Sequence, residues 1–240
     1  LRYVDMLMID DDMVSDVKRH GLVSLGIDSL KTLVYLPQSY GEAKGTNIVV
    51  TDSTGMHAEK FRLVDGKDYC VPYAFNADEV ENTRALTVRS APYTVCLPYD
   101  LEIPDGARVY ELSDRDENTL IFTEIAGRKM EAMKPYLIKA KDGQSVSLGT
   151  ADATLTSSAT AFGRQDDTYG YSLRGTLSAI SNTEAAEVGA YILQEDGNWH
   201  PVMSSSDDQK QAYVQAFRAY LLPSARRNAP QRISISLVNA

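Results

Sequence analysis

Tyr93-Thr94-Val95-Cys96-Leu97 decides the class of fold. Its aromatic and β-branched residues favour extended backbone, and the two-residue strand period puts Tyr93, Val95 and Leu97 on one face. The same chemistry recurs upstream in Asn47-Ile48-Val49-Val50-Thr51, in Tyr69-Cys70-Val71-Pro72-Tyr73-Ala74-Phe75, and in the strand-sized run Leu33 to Leu36. Turn chemistry punctuates the chain: Asp65-Gly66, Asp105-Gly106, Asp142-Gly143 and Asp196-Gly197 each supply a glycine able to take positive φ in a tight hairpin. Short strands at such spacing, with little helical periodicity between them, predict an all-β chain whose larger part is an antiparallel sandwich or barrel. The one helix expected after Pro37 runs from Asp207 to Val214, opened by Ser204-Ser205-Ser206.

Before Pro37 the pattern differs. Leu1-x-x-Val4-x-Met6 is followed 29 residues later by Leu30-x-x-Leu33-x-Tyr35, the L-x-x-L-x-L skeleton of a leucine-rich repeat. Asp10 to Gly26 would then be the convex-side connection. Two copies cannot bury a solenoid core alone, so the expectation is the last turns of a longer array, with Leu1 at its cut face and the chain as the C-terminal part of a longer polypeptide. The polar passage Glu79 to Arg84, followed by a turn at Ser90-Ala91-Pro92, places the expected boundary between residues 88 and 89. Residues 1–88 hold the repeat terminus and a small β module, and 89–240 the antiparallel sandwich-like domain. Pro135-Tyr136-Leu137-Ile138, Ala190-Tyr191-Ile192-Leu193 and Ala219-Tyr220-Leu221-Leu222 echo one another, as equivalent sheet positions would.

At 240 residues, 43% hydrophobic and 24% charged, the chain can bury a core without crosslinks, and two cysteines are too few for a disulfide scaffold. A net charge of −9 repels phosphate backbones and no basic run offsets it, which argues against nucleic acid as a partner. No apolar run approaches the length of a membrane span, and no export signal stands at Leu1, so any such signal lies upstream or has been removed.

Taken in order, Leu33-Val34-Tyr35-Leu36-Pro37, Asn47 to Val50, Thr94-Val95-Cys96-Leu97-Pro98-Tyr99, Ile103-Pro104-Asp105-Gly106-Ala107 with Val109 to Leu112, Lys134 to Ile138, Gly189 to Leu193 with Trp199, and Phe217 to Leu221 span nearly the whole chain. In that order they resemble the C-terminal modules of leucine-rich-repeat surface proteins of the Bacteroidetes, the BspA-like adhesins. The resemblance implies a repeat terminus followed by a β-sandwich-like module, exported and displayed at the cell surface. It carries over no catalytic residue. Cys70 departs from the family pattern, and residues 151–167 match nothing distinctive in it.

The chemistry-bearing residues are read with that in view. His20, His57 and His200 lack ligand spacing, so no metal site is expected of them; neither a nucleophile elbow nor a phosphate-binding glycine loop is present, and no cofactor is expected. The acidic clusters Asp114-Arg115-Asp116-Glu117 and Asp10-Asp11-Asp12 are read as solvated loops. Calcium at Asp10, Asp12 and Asp16 is weighed against a missing loop glycine. Cys70 and Cys96 fall in strand-like, apolar runs and are expected as two buried, unlinked thiols. Trp199, with Tyr169 and Tyr171, is the candidate ligand platform, set against an indole folded back over the sheet with its N–H satisfied locally. The expected function is non-catalytic interaction or adhesion with a protein or glycan at the cell surface, this segment capping the repeat array. The alternative is a carbohydrate-binding accessory module of a polysaccharide-utilising system, and an enzyme is the third reading.

Overall fold

The computed structural model describes residues 5–127, 129–162, 169–205, 212–224 and 230–239. Strand outweighs helix by 44% to 9%, so the chain is mostly β. It begins with β1 (Met6–Met8), a 3-10 turn at Asp11–Met13, helix α1 (Val14–His20), β2 (Leu33–Leu36), β3 (Ile48–Asp52), β4 (Gly55–Leu63) and β5 (Phe75–Asn82). Next come β6 (Ala85–Leu86), β7 (Tyr93–Cys96), β8 (Leu101–Glu102), β9 (Ala107–Asp116) and β10 (Thr119–Glu124). They are followed by β11 (Lys129–Met130), β12 (Pro135–Ala140), β13 (Val146–Ser147), β14 (Thr150–Leu155) and β15 (Tyr171–Thr176). Helix α2 (Asn182–Val188), β16 (Tyr191–Leu193), β17 (Trp199–Pro201), β18 (Arg218–Pro223) and β19 (Ser234–Val238) complete it. No helix among the described residues is long and apolar enough to cross a membrane.

Two compact units divide the chain. The first comprises Leu1–Val64, Tyr69–Thr83 and Leu148–Thr160, and the second Asp65–Asp68, Arg84–Ser147 and Ala161–Ala240.

The first unit is built on one mixed sheet in the order β1-β2-β3-β4-β5-β14. β1, β2 and β3 run parallel, as stacked coils would, but Met6 lies opposite Leu33, a step of 27 residues rather than the 29 of the sequence spacing, and Val34 lies opposite Ile48, a step of 14. The connection between β1 and β2 covers one face of this sheet: Val14 and Val17 of α1 pack with Val34, Leu36 and Leu7. Leu33 and Tyr35, the spacing positions, lie on the opposite face, where Tyr35 meets Tyr73 and Phe75 edge-on at about 6 Å. Of the remaining spacing positions, Leu30 is 49% exposed, Met6 is half-buried, and Leu1 and Val4 lie outside the described residues. One face of β2 thus takes the helix and the other takes an aromatic cluster, so all four of its residues are buried.

Tyr69 to Ala74, expected as strand, is loop. Pro72 has no N–H for a ladder, and the carbonyls of Val71 and Pro72 instead accept from Ser158 and Ser157. The strand starts at Phe75 and runs through Glu79-Val80-Glu81-Asn82, part of the expected polar passage. Phe75, Ala77 and Val80 are buried, while Glu79 and Glu81 meet Lys60 and Arg62 of the neighbouring β4 at 2.8–3.4 Å. β14, from the part of the sequence expected in the second domain, closes this sheet against β5.

The second unit has a five-stranded sheet, β19-β10-β9-β12-β7, and a four-stranded one, β15-β18-β16-β17. Apart from the parallel pair β10 and β19, their neighbours are antiparallel. One hydrophobic cluster draws on both sheets: Tyr110, Phe122 and Leu137 from the first, Tyr171, Trp199 and Leu221 from the second. The echoed motifs fall in strands, except that Ala190 precedes β16, but they are not equivalent. Leu137 and Leu221 point into this cluster at the third motif position, whereas Tyr191 does so at the second, and Tyr191 pairs with Leu221 in register.

Of the four Asp-Gly pairs only Asp196-Gly197 joins a hairpin, β16 to β17. The tight hairpins β3–β4 and β9–β10 turn on Ser53-Thr54 and Glu117-Asn118. At the first, the Asp52 carboxylate accepts from the Thr54 N–H and hydroxyl, both at 2.6 Å, which builds the turn without glycine at its centre. The expected helix from Asp207 lies mostly outside the described residues. Residues 212–214 are not helical, and Val214 bridges to Ile180. The helix of this region is α2, whose Ser181 and Glu184 form a reciprocal capping box.

Candidate functional site

The residues singled out in the sequence do not assemble into a site. Trp199 is fully buried in the cluster between the two sheets, and its indole N–H has no hydrogen-bond partner among the described residues. Tyr171 is 4% exposed in the same cluster, edge-on to Tyr191. Tyr169 is half-buried, its carbonyl accepting from Arg115 at 3.2 Å. A sugar-stacking face needs an open ring, and the candidate Trp199 instead lies folded into the core, though without, among the described residues, the local partner for its N–H that a folded-back indole was to have; the large apolar indole gains more by filling the core than by facing water.

Asp10 caps the 3-10 turn by accepting from the Met13 N–H, Asp11 takes the Ser39 hydroxyl, and Asp12 and Asp16 are exposed. Asp114, Asp116 and Glu117 form the exposed tip of the β9–β10 hairpin. His57 meets Asp78 at 2.8 Å, His200 meets Asp196 at 2.9 Å, and His20 is exposed at the end of α1. The Asn198 N–H, then His200, hold the Asp196 carboxyl down to about 2. Cys70 and Cys96 are unlinked, but only Cys96 is buried; Cys70 is exposed because its segment is loop rather than strand.

The second unit carries a concave site of a different make. A pocket of about 360 Å³, at the small end of the roughly 300–1,000 Å³ of ligand sites, is lined by three arginines, Arg84, Arg89 and Arg218. Arg84 stands just before β6, Arg89 in the β6–β7 connection, and Arg218 at the start of β18. Main-chain carbonyls hold the first two. Arg84 donates to Thr94 O at 2.9 Å and to Phe217 O at 3.4 Å, and Arg89 donates to Ala91 O at 3.0 Å and Pro92 O at 2.6 Å. The Arg89 guanidinium lies 3.5 Å from the centroid of the Tyr93 ring, with that of Arg84 at 5.5 Å. Arg218 is clamped by Asp65 through two parallel bonds of 2.7 and 3.0 Å and also donates to Gln215 at 3.1 Å.

These charges perturb one another. Burial, then the like charge of Arg218, pushes Arg84 down to about 9, which leaves it protonated at neutral pH. Burial also lowers Arg89, against the opposing influence of Tyr93 and Glu195. Burial would raise the Tyr93 hydroxyl, but the Thr87 hydrogen bonds and both guanidinium charges outweigh it and hold that hydroxyl below its usual value. Phe217, next to Arg218 in the chain, sits at φ +62°, a conformation that bulky L-residues avoid. It is held there by its N–H on Thr176 O and its carbonyl on the Cys96 N–H, and that carbonyl is the one Arg84 uses.

Sequence reasoning passed over these arginines because residues 84, 89 and 218 share no motif. The legible signal was the turn at Ser90-Ala91-Pro92, whose carbonyls Arg89 takes. No family model matches the chain, and no curated protein or solved structure matches it.

Proposed function

We propose that the chain is a non-catalytic interaction segment of an exported, surface-displayed protein, and that the arginine pocket is where it holds its partner, a surface protein or glycan. The observation that carries this reading is the way the cations are fixed. Arg89 is tied to two neutral main-chain carbonyls, which orient its guanidinium without cancelling its charge, and Arg84 beside it donates to two more. Asp65, the carboxylate of the lining, is locked in a bidentate pair with Arg218, an arrangement suited to holding position rather than to taking a proton from a substrate.

In this reading the second unit is a β-sandwich-like module, supported by the cluster shared between its two sheets, and the first is the terminus of a repeat-like coil, supported by the parallel stack β1, β2, β3. Export and display rest on the ordered motifs that resemble leucine-rich-repeat surface proteins. The carbohydrate-binding alternative keeps a foothold in the two tyrosines of the pocket, Tyr93 and Tyr213, rather than in Trp199.

Incubating the labelled, folded chain with immobilised extracellular proteins and glycans tests the reading. Saturable binding that weakens as salt rises is expected. Turnover of a chromogenic ester, glycoside or peptide substrate, abolished by Asp65→Asn, would overturn it.

A further inference from the structure

The pocket's lining narrows the ligand. Among the described residues, Arg84, Arg89 and Arg218 face one carboxylate inside it, Asp65, and Glu195 acts on Arg89 from nearby, so their local surplus is about one positive charge. A single negative charge balances that surplus, while the net charge of −9 on the whole chain works against polyanions. A guanidinium fork matches the planar carboxylate, which accepts two parallel hydrogen bonds as Asp65 already does from Arg218.

The rest of the lining is suited to hydroxyl groups. Thr94 and Gln215 are polar residues of the lining, and Tyr213 is 50% exposed, its hydroxyl accepting from Gln215 at 3.3 Å. An exposed ring beside fixed hydrogen-bonding groups offers a flat apolar face to one side of a sugar and polar partners to its edge.

We infer that the pocket formed by Arg84, Arg89, Arg218, Tyr93 and Tyr213 binds a sugar acid, a single uronic-acid ring of an acidic glycan, with its carboxylate on the arginines and its ring against Tyr213. This rests on the interaction reading above and chooses a glycan as the partner. Arg89 supplies the adjustable part of the grip, because its hydrogen bonds go to carbonyls and it makes no ion pair among the described residues.

Titration calorimetry of the full chain with glucuronate, glucose, acetate and inorganic phosphate tests it. Glucuronate should bind saturably, at least tenfold more tightly than any of the other three. Arg89→Gln should weaken glucuronate about tenfold, and Tyr213→Ala should erase its advantage over acetate, both with an unchanged circular-dichroism melt. Phosphate or acetate binding as tightly as glucuronate overturns the inference, as does glucuronate binding untouched by Arg89→Gln. Saturable binding to a surface protein that survives Arg89→Gln, with no glucuronate binding, overturns this inference and leaves the interaction reading standing. Absence of binding to every extracellular protein and glycan overturns both.

Discussion

Gly175 is a position where one methyl group matters. A Cβ built there would lie 2.8 Å from the Cys96 Cβ and closer still to its Sγ, so the buried thiol of β7 occupies the space that any other residue on β15 would need. Burial pushes that thiol up to about 12, so Cys96 behaves as a small apolar side chain rather than as a nucleophile. Gly175→Ala should destabilise the second unit by about 1–3 kcal/mol through overpacking, and Cys96→Ala in the same chain should recover only part of that loss, because it removes the Sγ but leaves the Cys96 Cβ at 2.8 Å. Urea midpoints of the wild type, both single variants and the double variant measure it. A Gly175→Ala midpoint equal to wild type would show that the strands shift apart without cost.

At the scale of elements, α2 shows how a short helix is held. Seven residues are too few to persist on intrinsic propensity. Ser181 accepts from the Glu184 N–H, Glu184 accepts in return from the Ser181 N–H at 3.0 Å, and Gly189 ends the helix in the left-handed conformation. Ala185 then packs with Ala190, Val202 and Val214. Ser181→Ala should cost about 1 kcal/mol of global stability, within the usual 0.5–2 for a lost cap, whereas Ser181→Asp should cost little. Hydrogen exchange at Ala185 and Glu184 reads the local part of that loss. Equal exchange in wild type and Ser181→Ala would mean that tertiary packing alone holds the helix. The S-x-x-E pattern was readable in the sequence, but the serine run at 204–206 drew the helix assignment downstream, because Ser206 with Gln209 three residues on offers the same capping-box spacing.

For the whole molecule, the order of strands in space departs from their order in sequence. β14 follows β13 of the second unit yet completes the sheet of the first, pairing with β5 from Thr150 to Leu155. A fragment of residues 1–88 would therefore leave the β5 edge bare, with its N–H and C=O groups unpaired and Phe75 without Leu155 opposite it. Such a fragment should self-associate and show poorly dispersed amide resonances. Joining residues 148–160 to it through a flexible linker should restore a monomer with dispersed spectra. A well-dispersed, monomeric 1–88 fragment would show that β14 adds little to the first unit.

Local chemistry was enough to read the β class, the runs that became β2, β3 and β7, and the solvated tip at Asp114 to Glu117, since β-branched residues, alternation and charge act over a few residues at a time. The strand status of Glu79 to Asn82 was hidden because its polar face reads as loop until Lys60 and Arg62 of β4 are seen beside it. Only the tertiary structure decided the register of β1 on β2, the burial of Trp199 and the meeting of Arg84, Arg89 and Arg218. Each depends on which segments, up to 134 residues apart in the case of Arg84 and Arg218, are brought together. That choice is made by the packing of whole faces, and no window of sequence contains it.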